Sequence, residues 1–269
     1  MHDKRHVEEI PTVSAATLTE AVHEVRQNSP EARVVRLSVQ DEIYWMKQVE
    51  QHASLKKRLR KGDAADALQR EADNLSNLAA KGIPVPEVMD AGDGYLVLQD
   101  CGLTINDLYL SEAYDTRRDL NIYHTVGRAL ANLHMQGMAL KRGHPRDYCW
   151  DTKAVRFIDL ETKMSTLDPK TNGRSNIYTF VLFTLRIGYK VNRDAYPEAK
   201  AFLEGYCAAQ SRETTQTLTA ANRWARMRWF WAACNFSVGL LGAPNRFAKA
   251  KATALTIMML RHFQVNAQE

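Results

Sequence analysis

The sequence predicts an α+β chain in two parts, a small antiparallel-sheet part over residues 1–100 and a mainly helical part over 101–269. Three observations carry this. Apolar and polar residues alternate along Arg33–Val39 and Ile43–Val49 and run apolar through Tyr95–Gln99, as strands do. Beyond Asp100–Leu103 helical spacing takes over, in segments near Asp119–Gln136, Ser175–Ile187, Pro197–Gln210, Glu213–Leu240 and Pro244–Phe263. The exception in the second part is Gly143–Glu161, a strand–turn–strand pattern carrying two acidic residues, Asp147 and Asp159.

At 269 residues the chain can bury a substantial core, and its 45% hydrophobic and 25% charged content is that of a globular protein. Cys101, Cys149, Cys207 and Cys234 form no CxxC pair, which argues against a zinc site or disulfide framework and suits a reducing cytoplasm. The opening MHDKRHVEEI is too charged for a signal peptide, and the apolar run Ile177–Leu185 is too short to span a bilayer. A cytoplasmic protein is expected. A net charge of +5 fits an anionic ligand, an acidic membrane surface or no partner.

Thr17–Gln27 reads as a short helix with Thr17 as N-cap. The first two strands form a hairpin through Gln40-Asp41-Glu42, with Lys47 in the second. Residues 52–62 hold the concentrated basic stretch, Lys56, Lys57, Arg58, Arg60 and Lys61. It reads as a solvated face or as a contact for phosphate groups; without interleaved aromatics it does not suggest nucleic acid. Asp66–Ala80 is a helix with Leu68, Ala72, Leu75 and Leu78 on one stripe, stopped by Gly82, Pro84 and Pro86. Glu71 lies along that stripe or at its wet edge. Buried, its carboxylate requires a partner, and Lys47 is the candidate. A short strand over Val85–Met89 precedes Tyr95–Gln99. In the second part His134 shares a stripe with Tyr123, Gly127 and Leu130 and reads as a packed or capping histidine. Trp224, Trp229, Phe230, Trp231 and Phe236 read as helical core.

Asp147 precedes the strand Tyr148–Trp150, and Asp159 follows the strand Val155–Ile158, with a turn at Asp151–Lys153. A hairpin of this kind brings both carboxylates to one end. That suits Mg²⁺, which takes oxygen ligands and only one or two from the protein. The alternative is that Asp147 caps a turn and Asp159 the next helix.

The order of these features resembles the protein-kinase-like superfamily, and within it the bacterial aminoglycoside phosphotransferases and lipopolysaccharide core-sugar kinases. The resemblance is carried by Glu71-x-x-x-Leu75-x-x-Leu78 with Gly82-Ile83-Pro84-Val85-Pro86, and by Phe157-Ile158-Asp159-Leu160-Glu161, similar to the D-F-G segment. It implies a two-lobed fold. Lys47 would hold the α/β-phosphates, Glu71 would be its ion-pair partner and Asp159 a metal ligand. Gln99 and Cys101, in a hinge over Gln99–Gly102, would meet the adenine. Asp147 fits two positions. His144-Pro145-Arg146-Asp147 invites comparison with the H-R-D loop, which would make Asp147 the general base. But Thr152, not Asn, stands five positions on, and only twelve positions separate Asp147 from Asp159. The metal-binding Asn position fits better, and the base position then falls on Arg142, which stays protonated. No glycine precedes Gly62, so a glycine-rich loop is absent and Ser38–Glu42 or earlier residues would have to cover the phosphates.

The resemblance implies an ATP- and Mg²⁺-dependent phosphotransferase acting on a hydroxyl of a small molecule or lipopolysaccharide core sugar. The alternative is a pseudokinase that binds nucleotide or a partner. Expected partners are nucleotide and a small-molecule or lipid-linked sugar, with an inner-membrane contact through Lys56–Lys61 and no nucleic acid.

Overall fold

A computed structural model of the protein describes residues 10–49, 64–160, 169–240 and 244–266. The chain divides into two compact units, Met1–Asp100 and Cys101–Glu269.

The first unit is built on a five-stranded sheet in the order β1-β2-β3-β5-β4. The strands are β1 (Thr12–Ala15), β2 (Val34–Val39), β3 (Glu42–Gln48), β4 (Val88–Gly92) and β5 (Tyr95–Gln99). The expected antiparallel sheet is in fact mixed, because β1 lies parallel to β2. That geometry follows from the connection: α1 (Leu18–Asn28) carries the chain back so that β2 runs alongside β1. Both helices expected in this unit are present among its described residues, the second being α2 (Ala64–Ala80). Thr17 caps α1 through a capping box with Glu20. Ala21, Val22 and Val25 of α1 pack on Val35, Leu37, Tyr44 and Met46 as one buried cluster. β4 starts three residues later than the alternation suggests. Pro84 and Pro86 lack N–H donors, so pairing begins beyond them.

The second unit carries a three-stranded sheet, β6 (Leu103–Thr104), β7 (Tyr148–Trp150) and β8 (Val155–Phe157), in that order. Its described helices are α3 (Ile105–Leu110), α4 (Thr116–Met135), α5 (Arg174–Lys190), α6 (Tyr196–Cys207), α7 (Arg212–Arg226), α8 (Trp229–Leu240) and α9 (Pro244–Asn266). An aromatic series ties the β7–β8 hairpin to the helices. Tyr148 meets Phe180 edge-on at 5.2 Å, and Phe180 stacks on Phe202 at 4.1 Å.

Two glycines let α4 and α6 touch backbone to backbone. A Cβ on Gly127 would lie 2.0 Å from Phe202 O, and one on Gly205 would lie 2.0 Å from His124 O. Neither clash can be relieved by a side-chain rotation. Gly127→Ala is expected to cost at least about 2 kcal/mol. In a calorimetric scan that is a fall of roughly 4–8 °C for a unit of this size.

The aromatic cluster expected as core is a correction. The helix expected over Glu213–Leu240 breaks at Met227–Arg228, where Arg228 lays its guanidinium 4.1 Å over the Trp224 ring and 5.5 Å from Tyr178. Trp224 is half-buried against Tyr178. Beyond the break Trp229, Phe230, Trp231 and Phe236 are solvent-exposed.

Candidate functional site

Each unit holds one group of the candidate residues. In the first, Lys47 stands on the central strand β3, between Val34 of β2 and Leu96 of β5. Strand alternation sends Tyr44 and Met46 into the α1 core and Lys47 to the opposite face. α2 packs against β4 and β5, with Ala72, Leu75 and Leu78 buried and Glu71 1% exposed. Lys47 Nζ donates to Glu71 Oε1 at 2.6 Å. The lysine side chain is 23% exposed, so its head remains accessible while its partner does not.

The β2–β3 connection is a tight turn with Gln40 at φ 50° and Asp41 at φ 67°. Two positive φ values at the centre of a two-residue hairpin loop match a type I′ turn, here made without glycine. Gln99 is exposed at the end of β5, and its N–H donates to Glu87 O at 2.9 Å; the Asp100 N–H donates to Ile43 O at 3.2 Å. These donors are used within the sheet. Cys101, the first residue of the second unit, is buried, with 6% of its surface exposed. The basic stretch Lys56–Lys61 lies outside the described residues, as does Glu161.

In the second unit Asp147 closes a short 3₁₀ turn, Pro145–Asp147, immediately before β7. His144 caps this turn: its Nδ1 accepts from Arg146 N, and its own N–H donates to Asp147 Oδ2 at 2.8 Å. The Ile158 N–H donates to Asp147 O at 3.0 Å, so the hairpin fixes Asp147 against the residue preceding Asp159. Asp159 itself sits at φ 62°, a left-handed conformation uncommon outside glycine and one that clusters at functional sites. Arg142, Asp147 and Asp159 line one cavity, together with Leu140, Lys141, Ile158 and Leu160. Arg142 is solvent-exposed.

Burial pushes the Asp147 carboxyl up to about 6 and the Asp159 charge adds to this, while the His144 N–H and Arg142 oppose it. Burial likewise pushes the His144 imidazole down to about 4, assisted by Arg146, Arg142 and Arg186. His144 is therefore neutral near pH 7, and with Nδ1 accepting, its proton resides on Nε2.

Asn176 is the positioning residue that sequence reasoning missed. Its Oδ1 accepts from Leu140 N at 2.9 Å and its Nδ2 donates to Leu140 O at 2.8 Å, pinning the segment that leads into Arg142. A Cβ on Gly143 would lie 2.6 Å from Asn176 Cα, so that loop runs directly over α5. His134 is the packed histidine expected: its Nδ1 meets Tyr206 Oη at 2.8 Å and its Nε2 meets Asn176 Oδ1 at 3.2 Å. The available signal for Asn176 was a polar residue on an otherwise apolar helix face, Ile177–Leu185.

The donor set in the cavity fits a hard divalent cation. Two carboxylates share it, and burial, with repulsion from Asp159 added, raises the proton affinity of Asp147, a cost that a cation would offset. Among the described residues no cluster of three or more His, Cys, Asp or Glu forms a fuller cage.

No protein-family model matches the chain. A curated relative, an uncharacterized protein of Haemophilus influenzae, is 28% identical over 134 residues, covering 50% of this chain and 55% of that protein. The match thus spans about half of that relative's length. Similar solved structures include WaaP in complex with acyl carrier protein, with a TM-score of 0.46 and 14% identity over 72% of this chain and 83% of that one. Another is aminoglycoside-3'-phosphotransferase of type VIII, with a TM-score of 0.49 and 17% identity over 73% and 94%. Both TM-scores lie under 0.5, so the functional assignment stands on the side chains.

Proposed function

We propose that the protein is an ATP- and Mg²⁺-dependent phosphotransferase acting on a hydroxyl of a small molecule or of a lipid-linked, lipopolysaccharide-core type sugar. The observation that carries this is the Lys47–Glu71 pair at 2.6 Å, a strand lysine held by a helix carboxylate that is 1% exposed. A buried ion pair is weak evidence for stability. It does fix a lysine head in one place, as needed for binding nucleotide phosphates. Asp147 and Asp159 are the proposed metal ligands, and Gln99 and Cys101 the proposed adenine contacts. Between them Asp147 and Asp159 would hold the Mg²⁺, whose chemistry there would be neutralisation of charge on the transferring phosphoryl group.

Phosphoryl transfer passes through a loose transition state, so positioning and charge stabilisation supply most of the catalysis. Arg142 cannot take the acceptor's proton, but beside the acidic cavity it offers a fixed cation to an anionic acceptor. The inner-membrane contact expected through Lys56–Lys61 remains part of the proposal. Among the described residues no helix is long and apolar enough to cross a membrane. The second reading, a pseudokinase that binds nucleotide and regulates a partner, is favoured by Arg142 at the base position and by the tight Gln40–Asp41 turn.

The test is turnover of labelled ATP with Mg²⁺ across a panel of sugar and lipid-linked acceptors. Turnover, or slow hydrolysis, is expected, falling on the order of a hundredfold or more in Asp159→Asn. Nucleotide-induced stabilisation with no turnover on any acceptor selects the pseudokinase. Absence of nucleotide binding overturns both.

A further inference from the structure

The break at Met227–Arg228 leaves α8 with an unusual surface. Met227 is 74% exposed, Trp229 63%, Phe230 60% and Trp231 63%, and Phe236 and Val238 are also exposed. Large apolar side chains grouped in this way mark an interaction surface. α8 contains no charged residue. It is fixed to α9 along one side, where Arg246 Nη1 donates to Asn235 Oδ1 at 2.9 Å and the Phe236 and Phe247 rings meet at 5.3 Å.

Three features identify the occupant. Trp229, Phe230 and Trp231 are consecutive, so they spread over about 200° of the helix circumference. A protein groove takes one stripe at i, i+3, i+4 and i+7, whereas a surrounding medium takes such a spread. Second, from Thr214 to Gln268 the chain has seven Lys or Arg and no Asp or Glu. Arg223, Arg226, Arg228 and Arg246 are all exposed and flank the aromatic run. Trp rings at the headgroup level with flanking arginines are the pattern that binds an anionic lipid surface. Third, twelve residues of helix reach only about 18 Å against a hydrocarbon core of about 30 Å. α8 can lie in the interface but cannot cross it.

We propose that α8 and its flanking arginines form a monotopic anchor that seats the helical unit on an anionic phospholipid bilayer. Trp229, Phe230 and Trp231 enter the headgroup–acyl boundary. This anchor is independent of Lys56–Lys61 and of phosphotransfer.

The test is co-flotation of the full chain, without nucleotide, with vesicles of phosphatidylcholine alone or with phosphatidylglycerol as a third of the lipid. Binding is expected to the anionic vesicles only and to weaken with salt, as Debye screening requires. The triple substitution Trp229→Ser, Phe230→Ser, Trp231→Ser is expected to weaken it at least about tenfold, and Arg223→Gln with Arg226→Gln about tenfold. These side chains are exposed, so the melting curve by circular dichroism should hold. Independently, lipids brominated near the headgroup should quench wild-type tryptophan emission. The proposal is overturned if the wild type does not float, or if the triple variant floats as well as the wild type. It is also overturned if binding is lost on replacing Lys56, Lys57 and Lys61 but not on replacing the aromatics. A lipid-free dimer that the triple variant converts to monomer, or an acidic protein captured in place of vesicles, would equally overturn it. None of these outcomes touches the phosphotransfer assignment, which is read from ATP turnover.

Discussion

Replacing Lys47 by methionine should abolish nucleotide binding and destabilise the N-terminal unit by about 2–3 kcal/mol. The destabilisation comes from Glu71, which is 1% exposed and loses the cation 2.6 Å away. Removing one partner of a buried pair costs about 3–5 kcal/mol. The figure is lower here because the lysine side chain is 23% exposed and Glu71 has further interactions. The double variant Lys47→Met with Glu71→Met removes the stranded charge and fills the same space, so it should recover most of that stability. It should not recover nucleotide binding. Chemical denaturation reads the first effect, and the thermal shift produced by a non-hydrolysable ATP analogue reads the second. A Lys47→Met protein that binds nucleotide as the wild type does would sink the assignment of Lys47 to the phosphates. A double variant as unstable as the single one would mean that the cost comes from packing around the lysine stem, not from charge.

The residues legible in the sequence were those whose local pattern and tertiary fate agree. Alternation along β2 and β3 survives folding because each strand buries one face against α1. Glu71 was legible for the opposite reason: a carboxylate on an apolar stripe is a conflict that only a partner resolves. The hairpin from Tyr148 to Phe157 was legible because its turn chemistry is local. The Asp151 carboxylate accepts from Lys153 N, Ala154 N and Arg156 Nε, and Thr152 takes φ 73°. What stayed hidden depends on distant contacts. β1 is a four-residue edge strand with only partial burial, defined by its pairing with β2. Asn176 earns its role from Leu140, 36 positions away in the chain. The exposed aromatics of α8 were misassigned because composition cannot distinguish a helix buried in protein from one built to meet another apolar medium.

Substituting Asp147 by asparagine should stabilise the protein at pH 8 and leave it unchanged near pH 4, and substituting it by alanine should remove any stabilisation by Mg²⁺. In the fold the carboxyl is pushed up to about 6 by burial and by Asp159, against about 3.9 in an unfolded chain. The folded state therefore binds this proton more tightly. Its contribution to stability is greatest below about pH 4 and is lost as pH rises through about 6. A rise from about 3.9 to about 6 corresponds to at most about 3 kcal/mol, and solvent screening of the part-buried carboxyl brings this to about 1–2 kcal/mol. His134 and His144 are both pushed down to about 4 by burial. Each contributes in the opposite sense, with stability lost as pH falls through that value, so wild-type melting temperatures alone would mix the effects. The difference between wild type and Asp147→Asn at each pH cancels the histidines. Mg²⁺ should raise the melting temperature of the wild type at pH 8, where both carboxylates are ionised, and lose this effect below about pH 6. In Asp147→Ala, which leaves no oxygen ligand, the Mg²⁺ shift should be absent at every pH and turnover should fall on the order of a hundredfold, whereas asparagine keeps a carbonyl oxygen and part of the shift. An Asp147→Ala protein that keeps the Mg²⁺ shift would remove Asp147 from the metal site. One that loses turnover but keeps the shift would return it to the role of general base, and Arg142 would then no longer stand at the base position.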